Sequence, residues 1–149
     1  MRRRLSVSAA TPVWPDGVHL RTFAESAATE VHALLELAYA DSEGSVSSFE
    51  EWWPSLAQDS EYDPTLCFLA CDRAGSLVGF AQCWTTAFVK DLVVHPRYRR
   101  RGIGRALLLH IFSVFQRRGF PAVDLKVLIN NRSGAVQLYE SLGMFLIAR

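Results

Sequence analysis

The sequence has few lysines, few cysteines and no long apolar run, and each shortage excludes a class of protein. Of its 16 Lys and Arg residues only Lys90 and Lys126 are lysine, and the formal net charge is +1. This balance excludes the broad positive surface of a nucleic-acid-binding protein. No apolar stretch approaches the ~20 residues that cross a bilayer, so we expect no membrane contact. Ser, Thr and Pro follow the basic start, where a secretion signal would have its apolar segment.

The cysteines do not form a metal-binding or disulfide pattern. Cys67, Cys71 and Cys83 are odd in number and lie in apolar segments. They lack the paired spacing of metal ligands, so we expect no metal. Buried thiols without a disulfide framework are typical of a reducing compartment, and the sequence therefore predicts a cytoplasmic protein.

The composition is that of a folded domain. Of the 149 residues, 50% are hydrophobic and 21% are charged, which is enough for a complete core. Residues 1–16 are polar, contain proline and have no periodicity, so we expect a flexible arm there. We expect residues 17–149 to form a single domain.

Apolar periodicity predicts an α/β fold. Apolar residues at helical spacing indicate helices around residues 26–40, 48–56, 102–118 and 133–142. Alternating or short continuous apolar runs indicate strands at residues 18–23, 65–71, 77–85, 88–94 and 122–129. This order predicts antiparallel strands first and a strand–helix–strand crossover second.

One segment carries the clearest chemical signal. A strand ends at His95-Pro96, and a basic stretch with Gly102 and Gly104 leads directly into a helix. The first turn of a helix has unpaired N–H groups that attract phosphate, and glycine lets the phosphate approach the backbone. Several arginines surround the two glycines: Arg97, Arg99, Arg100, Arg101 and Arg105. A plain tight turn with solvated arginines is the alternative.

Two common phosphate motifs do not fit this segment. The P-loop requires Gly-Lys-Ser/Thr, which is absent. The dinucleotide fingerprint requires a third glycine where Leu107 stands, so a nucleotide-binding regulator is only a third interpretation.

Two blocks of the sequence resemble a known family. Residues 99–104, Arg-Arg-Arg-Gly-Ile-Gly, match the Arg/Gln-x-x-Gly-x-Gly/Ala signature of the GNAT superfamily of N-acetyltransferases, and the Leu-x-Val-x-Pro of residues 92–96 precedes it. Residues 131–144 are similar to its Asn…Ala…Leu-Tyr-Glu-x-x-Gly-Phe block, with Met144 in place of Phe. One predicted helix and one predicted strand separate the blocks, which are in the family's order.

The resemblance implies acetyl-CoA as donor, a primary amine as acceptor and a GNAT-like mixed sheet. That sheet has antiparallel N-terminal strands, a splayed parallel central pair and flanking helices. The chain stops at Arg149, so we expect the usual last strand to be missing and the open edge to be covered by a second copy in a homodimer. The implied donor contacts are Leu92, Val93, Val94, Arg99, Arg100, Arg101, Gly102, Ile103, Gly104, Arg105 and Asn131.

The resemblance also implies catalytic residues. Tyr139 matches the family's tyrosine that protonates the departing thiolate, although its helical spacing alone favours core packing. Asp91 is the first candidate for the base that deprotonates the amine, with Glu50, Glu51 and His95 as alternatives. Alternation places Asp91 on the side opposite Leu92, unless a bulge reverses the parity.

The acceptor contacts and the overall activity remain open at this stage. The family's acceptor pocket implies Trp52 and Trp53 as contacts, with core packing as the alternative. The N-terminal segment from Pro15 to Phe23 resembles mycothiol-synthase-like members of the superfamily, whose chains usually have two such domains. The main alternative to an enzyme is a non-catalytic acyl-CoA-binding module of the same fold.

Overall fold

The computed structural model describes residues 1–5, 10–40, 45–127 and 134–147. Within these ranges the strands are β1 (Arg2–Arg4), β2 (His19–Thr22), β3 (Cys67–Cys71), β4 (Leu77–Trp84), β5 (Phe88–Val94) and β6 (Ala122–Leu125). The helices are α1 (Ala28–Tyr39), α2 (Phe49–Ala57), α3 (Ile103–Arg117) and α4 (Ala135–Ser141). None of the described helices is long and apolar enough to cross a membrane.

All six strands belong to one mixed sheet in the order β1-β6-β5-β4-β3-β2. The pairs β2–β3, β3–β4 and β4–β5 are antiparallel. Strands β5 and β6 are parallel, and β1 is antiparallel to β6. The connection from β5 through α3 to β6 is the predicted crossover. The predicted fold class, an antiparallel N-terminal half and a parallel central pair with flanking helices, is confirmed.

The sheet has a hydrophobic core on each face. The stripe of α3, including Leu107, Ile111 and Phe112, packs into what we call the α3-side core. The stripes of α1 and α2 pack into the α1-side core. Helix α3 approaches the sheet closely at Gly79, where a Cβ atom would lie 2.8 Å from Ile103 Cγ2. This close approach fixes the start of α3 against β4.

The expectation of a flexible arm over residues 1–16 is wrong for its first residues. Arg2–Arg4 form strand β1, and Met1 and Leu5 are buried in the α3-side core. The Arg2 guanidinium makes two hydrogen bonds with the Asp124 carboxylate, at 2.7 and 3.0 Å. Three consecutive arginines have no strand-like alternation, so only pairing with β6 reveals this strand.

Strand β1 also covers the edge of β6 that the sequence left open. On its outer side, Arg2 and Phe145 form an antiparallel bridge through two backbone hydrogen bonds. The expected homodimer rested on an uncovered β6 edge, so that argument no longer supports it. The homodimer itself stays an untested prediction.

Candidate functional site

Strand β5 has a described neighbour on both sides only at its start. On one side, β4 pairs with β5 from Phe88 to Val94. On the other side, β6 pairs only with Phe88 and Val89 within the described residues. The edge of β5 at residues 90–94 therefore has no described strand beside it. Its backbone groups there can pair with an extended ligand in the way that an added strand would.

A short segment joins this open edge to helix α3, and we call residues 95–104 the glycine–arginine turn. It starts with a 3-10 turn, Pro96–Tyr98, in which the Arg97 N–H donates to His95 Nδ1 at 3.1 Å. Gly102 follows at φ +91°, a left-handed conformation that suits glycine, and α3 begins at the next residue. Gly102 has no side chain to cap the helix, so the first N–H groups of α3 are left for water or a ligand.

Gly104 lies in the first turn of α3 beside two other elements. A Cβ atom added there would lie 3.7 Å from Val94 Cγ2 and 3.8 Å from Leu138 Cδ2, which are ordinary contact distances. The protein therefore has room for a methyl group at this position. The bare backbone forms a shallow surface between the end of β5 and α4 that a phosphate can approach closely.

The arginines at the start of α3 differ from Arg99. Arg100, Arg101 and Arg105 are exposed, and none of them forms an ion pair within the described residues. These three are available to bind phosphate oxygens at the start of α3. Arg99 differs, because its Nη2 donates to the Ala38 carbonyl oxygen at 3.1 Å, near the end of α1.

Asp91 faces the α1-side core. A bulge between Gln82 and Cys83 shifts the pairing of β4 with β5. Val89 and Leu92 pack against the α3-side core, whereas Val93 packs in the α1-side core. Asp91 is only 9% exposed, and its carboxylate accepts hydrogen bonds from the Tyr39 hydroxyl at 2.7 Å and from Lys90 Nζ at 3.0 Å. Alternation predicts that Asp91 lies on the face of the sheet opposite Leu92, and the structure places it there.

Tyr139 lies on α4, partly buried against the α3-side core. Burial raises the pKa of its phenol above the usual value, so the group stays protonated in mildly alkaline solution. Tyr139 also interacts electrostatically with Tyr39, whose pKa is raised by burial and by the neighbouring Asp91 charge. The structure thus brings Tyr139 into the neighbourhood of Tyr39, the hydrogen-bond partner of Asp91.

Sequence reasoning missed Tyr39 and the contact that Arg99 makes with α1. Tyr39 is the last residue of α1 and lies at the edge of the apolar stripe of Val31, Leu34, Leu35 and Ala38, four residues after Leu35. That spacing predicts core packing and does not indicate a contact with Asp91. Only the fold, which places the end of α1 over β5, makes the residue visible.

The tryptophans predicted as acceptor contacts lie in different surroundings. Trp52 is 5% exposed and packs against His32, Phe49 and Trp53 in the α1-side core. Its burial leaves no surface for an acceptor, so the core alternative holds for Trp52. Trp53 is partly buried between Phe23 and Tyr62, and its assignment stays a prediction.

The remaining candidates are less informative. Asn131, predicted to contact the donor, lies outside the described residues. Glu50 and Glu51 are exposed on the first turn of α2. His95 accepts the Arg97 N–H within the turn and packs its ring 5.7 Å from that of Tyr98, so its Nδ1 is already used.

The cysteines are poor nucleophiles in this fold. All three are buried free thiols. Burial raises the pKa of Cys67 to about 12 and also raises the pKa of Cys71 and Cys83. Thiolate formation is therefore unfavourable at neutral pH. Among the residues that the structure describes, no group of three His, Cys, Asp or Glu side chains could hold a metal ion.

Curated proteins similar to this chain are acetyltransferases. Mycothiol acetyltransferase of Thermobispora bispora is 37% identical in an alignment of length 156. The alignment covers 96% of this chain and 52% of that protein. The [ribosomal protein bS18]-alanine N-acetyltransferase of Escherichia coli is 43% identical over 53 residues, covering 36% of this chain and 35% of that protein. The chain thus spans about half the length of the first of these relatives.

A solved structure and a family profile agree with these relatives. The GCN5-related N-acetyltransferase from Sphaerobacter thermophilus superposes with a TM-score of 0.83 at 33% identity, over 97% of this chain and 46% of that one. Residues 28–144 match the profile of the acetyltransferase (GNAT) family and include β5, the glycine–arginine turn and α4. The chain therefore belongs to the acetyltransferase (GNAT) family.

Proposed function

We propose that this protein transfers an acetyl group from acetyl-CoA to a primary amine by direct attack of the amine on the thioester. One observation carries the proposal: the glycine–arginine turn continues from the edge of β5 that has no described neighbour. A ligand with a pyrophosphate and an extended, amide-containing arm suits both features at once. The acetyltransferase names of the relatives agree with this assignment.

The proposed donor site uses backbone groups more than side chains. Residues 92–94 would pair with the amide-containing arm through the edge of β5 that has no described strand beside it. The first N–H groups of α3 would bind the pyrophosphate, with Gly104 allowing close approach and Arg100, Arg101 and Arg105 supplying charge. When bound, acetyl-CoA supplies an acyl thioester that an amine can attack.

The proposed chemistry needs a neutral amine and a group that takes a proton from it during the attack. A lysine-like amine with a pKa of ~10.4 is mostly protonated at pH 7, and loss of that first proton to solvent costs ~4–5 kcal/mol. The neutral nitrogen then attacks, becomes far more acidic once it bonds to the acyl carbon, and loses a second proton that a carboxylate suffices to accept. We assign Asp91 to this second step, because its carboxylate faces the α1 side and already accepts hydrogen bonds from two donors.

Tyr139 is assigned as the acid that protonates the departing sulfur. Its raised pKa keeps the phenol protonated until a thiolate forms nearby. A covalent route through cysteine is disfavoured by the raised pKa values of all three thiols. Because these thiols are reduced and buried, we also propose a cytoplasmic location.

The identity of the acceptor is proposed only as a class. The relatives' names give mycothiol in one case and the alanine of a ribosomal protein in another. The alternative, a non-catalytic acyl-CoA-binding module of the same fold, predicts acetyl-CoA binding without transfer to any amine.

Thermal unfolding with saturating ligands tests the donor assignment. A ligand present at about 100 times its Kd adds ~2.7 kcal/mol, which for a domain of this size raises the Tm by roughly 5–10 °C. We expect this rise with acetyl-CoA and none with NAD or ATP at equal concentration. A rise with ATP or NAD alone would instead favour a nucleotide-binding regulator.

A further inference from the structure

Asp91 has two hydrogen-bond donors, one on each carboxylate oxygen. The Tyr39 hydroxyl lies 2.7 Å from Oδ1, and Lys90 Nζ lies 3.0 Å from Oδ2. A carboxylate has about four lone-pair sites, so two remain for other partners. The direction of these remaining sites depends on which donor fixes the carboxylate in place.

The two donors differ in rigidity. The Lys90 side chain is 38% exposed and its ammonium also stands 6.0 Å from the centre of the Trp84 ring, so it can exchange between partners. Tyr39 is a ring with few rotatable bonds, packed against the α1-side core at the end of a helix. Burial and the Asp91 charge both raise the pKa of Tyr39, so its hydroxyl remains protonated and can donate at neutral pH.

A third polar neighbour does not hold the carboxylate. Gln82 lies directly opposite Asp91 on β4 and is fully buried. Neither atom of its side-chain amide has a hydrogen-bond partner within the described residues. Tyr39 is therefore the only rigid donor to Asp91 among the described side chains near it.

The glycine–arginine turn supports the position of Tyr39. Arg99 Nη2 donates to the carbonyl oxygen of Ala38, the residue before Tyr39. A cation at the C-terminus of a helix also interacts favourably with the helix dipole. The turn proposed to bind the donor therefore contacts the same helix end that holds Asp91.

We propose that Tyr39 is a positioning residue, whose hydroxyl holds the Asp91 carboxylate so that its remaining lone pairs accept an N–H from the attacking amine. This inference rests on the proposed function. As the nitrogen bonds to the acyl carbon, Asp91 takes one proton from that nitrogen. The carbon–sulfur bond then breaks, and the sulfur keeps the bonding electron pair. Tyr139 gives this sulfur a proton. Solvent afterwards removes the proton from Asp91 and returns one to Tyr139.

A double-mutant cycle tests this role, with amine acetylation as the readout. We expect Tyr39→Phe to lower kcat/KM for the amine by about 10-fold or more, because the carboxylate loses its orientation. The Kd for acetyl-CoA stays at the parent value. Since Tyr39 acts through Asp91, adding Tyr39→Phe to Asp91→Asn causes no further loss.

The control is Thr65→Val, which removes a hydroxyl that likewise donates to a carboxylate, that of Asp63, at 2.7 Å. We expect this variant to behave like the parent, with Tm values recorded for every protein. A Tyr39→Phe enzyme with parental kcat/KM, or losses that simply multiply in the double variant, would overturn the positioning role alone. A parent that acetylates no primary amine would overturn the proposed function, and this role with it.

Discussion

Replacing Gly104 by glutamate is expected to weaken donor binding strongly while leaving the protein about as stable as before. The added Cβ atom meets only ordinary contacts in the protein, at 3.7 Å from Val94 and 3.8 Å from Leu138. Glutamate is a better helix former than glycine, and a negative charge is favourable in the first turn of a helix, so the free energy of unfolding should stay constant or rise by up to about 1 kcal/mol. The same carboxylate occupies the surface proposed to receive the pyrophosphate and repels its charge.

Isothermal titration with acetyl-CoA measures this effect directly. We expect the Kd to rise by about 10-fold or more, equivalent to at least ~1.4 kcal/mol. Ser113→Ala is the matched control, because it changes a small side chain on the same helix about three turns from the glycine–arginine turn. Parental affinity in Gly104→Glu would mean that the donor does not contact the start of α3.

Removing the Tyr139 hydroxyl is expected to reduce turnover without weakening donor binding. General acid catalysis contributes about 10²–10⁴-fold, so Tyr139→Phe should lower kcat by at least about 10²-fold. The ring keeps its packing on the α3-side core, and we expect the Kd for acetyl-CoA to remain that of the parent. Ser141→Ala is the control, since it removes a hydroxyl from the same helix, one that donates to the carbonyl oxygen of Leu138 at 2.6 Å.

The pH dependence of kcat provides a second test of Tyr139. The phenol can donate only while protonated, so its contribution is present below its pKa and lost above it. Because burial raises that pKa, the alkaline decline of kcat should begin above the ordinary tyrosine value of ~10. The decline should be absent from Tyr139→Phe, and an unchanged kcat in that variant would assign the acid elsewhere.

The sequence predicts those parts of the site that depend on local chain order. The strand, the two glycines and α3 follow one another without interruption, so their pattern alone places the first helix turn at the end of β5. Alternation along β5 likewise predicts the side on which Asp91 lies. These features need no knowledge of distant contacts.

The parts that sequence reasoning missed depend on contacts between distant segments. Strand β1 exists because Arg2 pairs with Asp124, which lies 122 positions away. Tyr39 reaches Asp91 only because α1 packs across the sheet. Trp52 has the helical spacing of either a core or a pocket residue, and only its burial decides between them.

Transfer of an isotopically labelled acetyl group, followed by mass spectrometry, tests the central claim most directly. The purified protein is incubated with labelled acetyl-CoA and a panel of primary amines, small molecules and peptides with a free N-terminus included. Direct attack predicts a labelled amide on at least one amine, one free CoA per amide formed, and no labelled cysteine in the protein. Acetyl-CoA binding without any labelled amide, or label on a cysteine before it reaches the amine, would contradict the account.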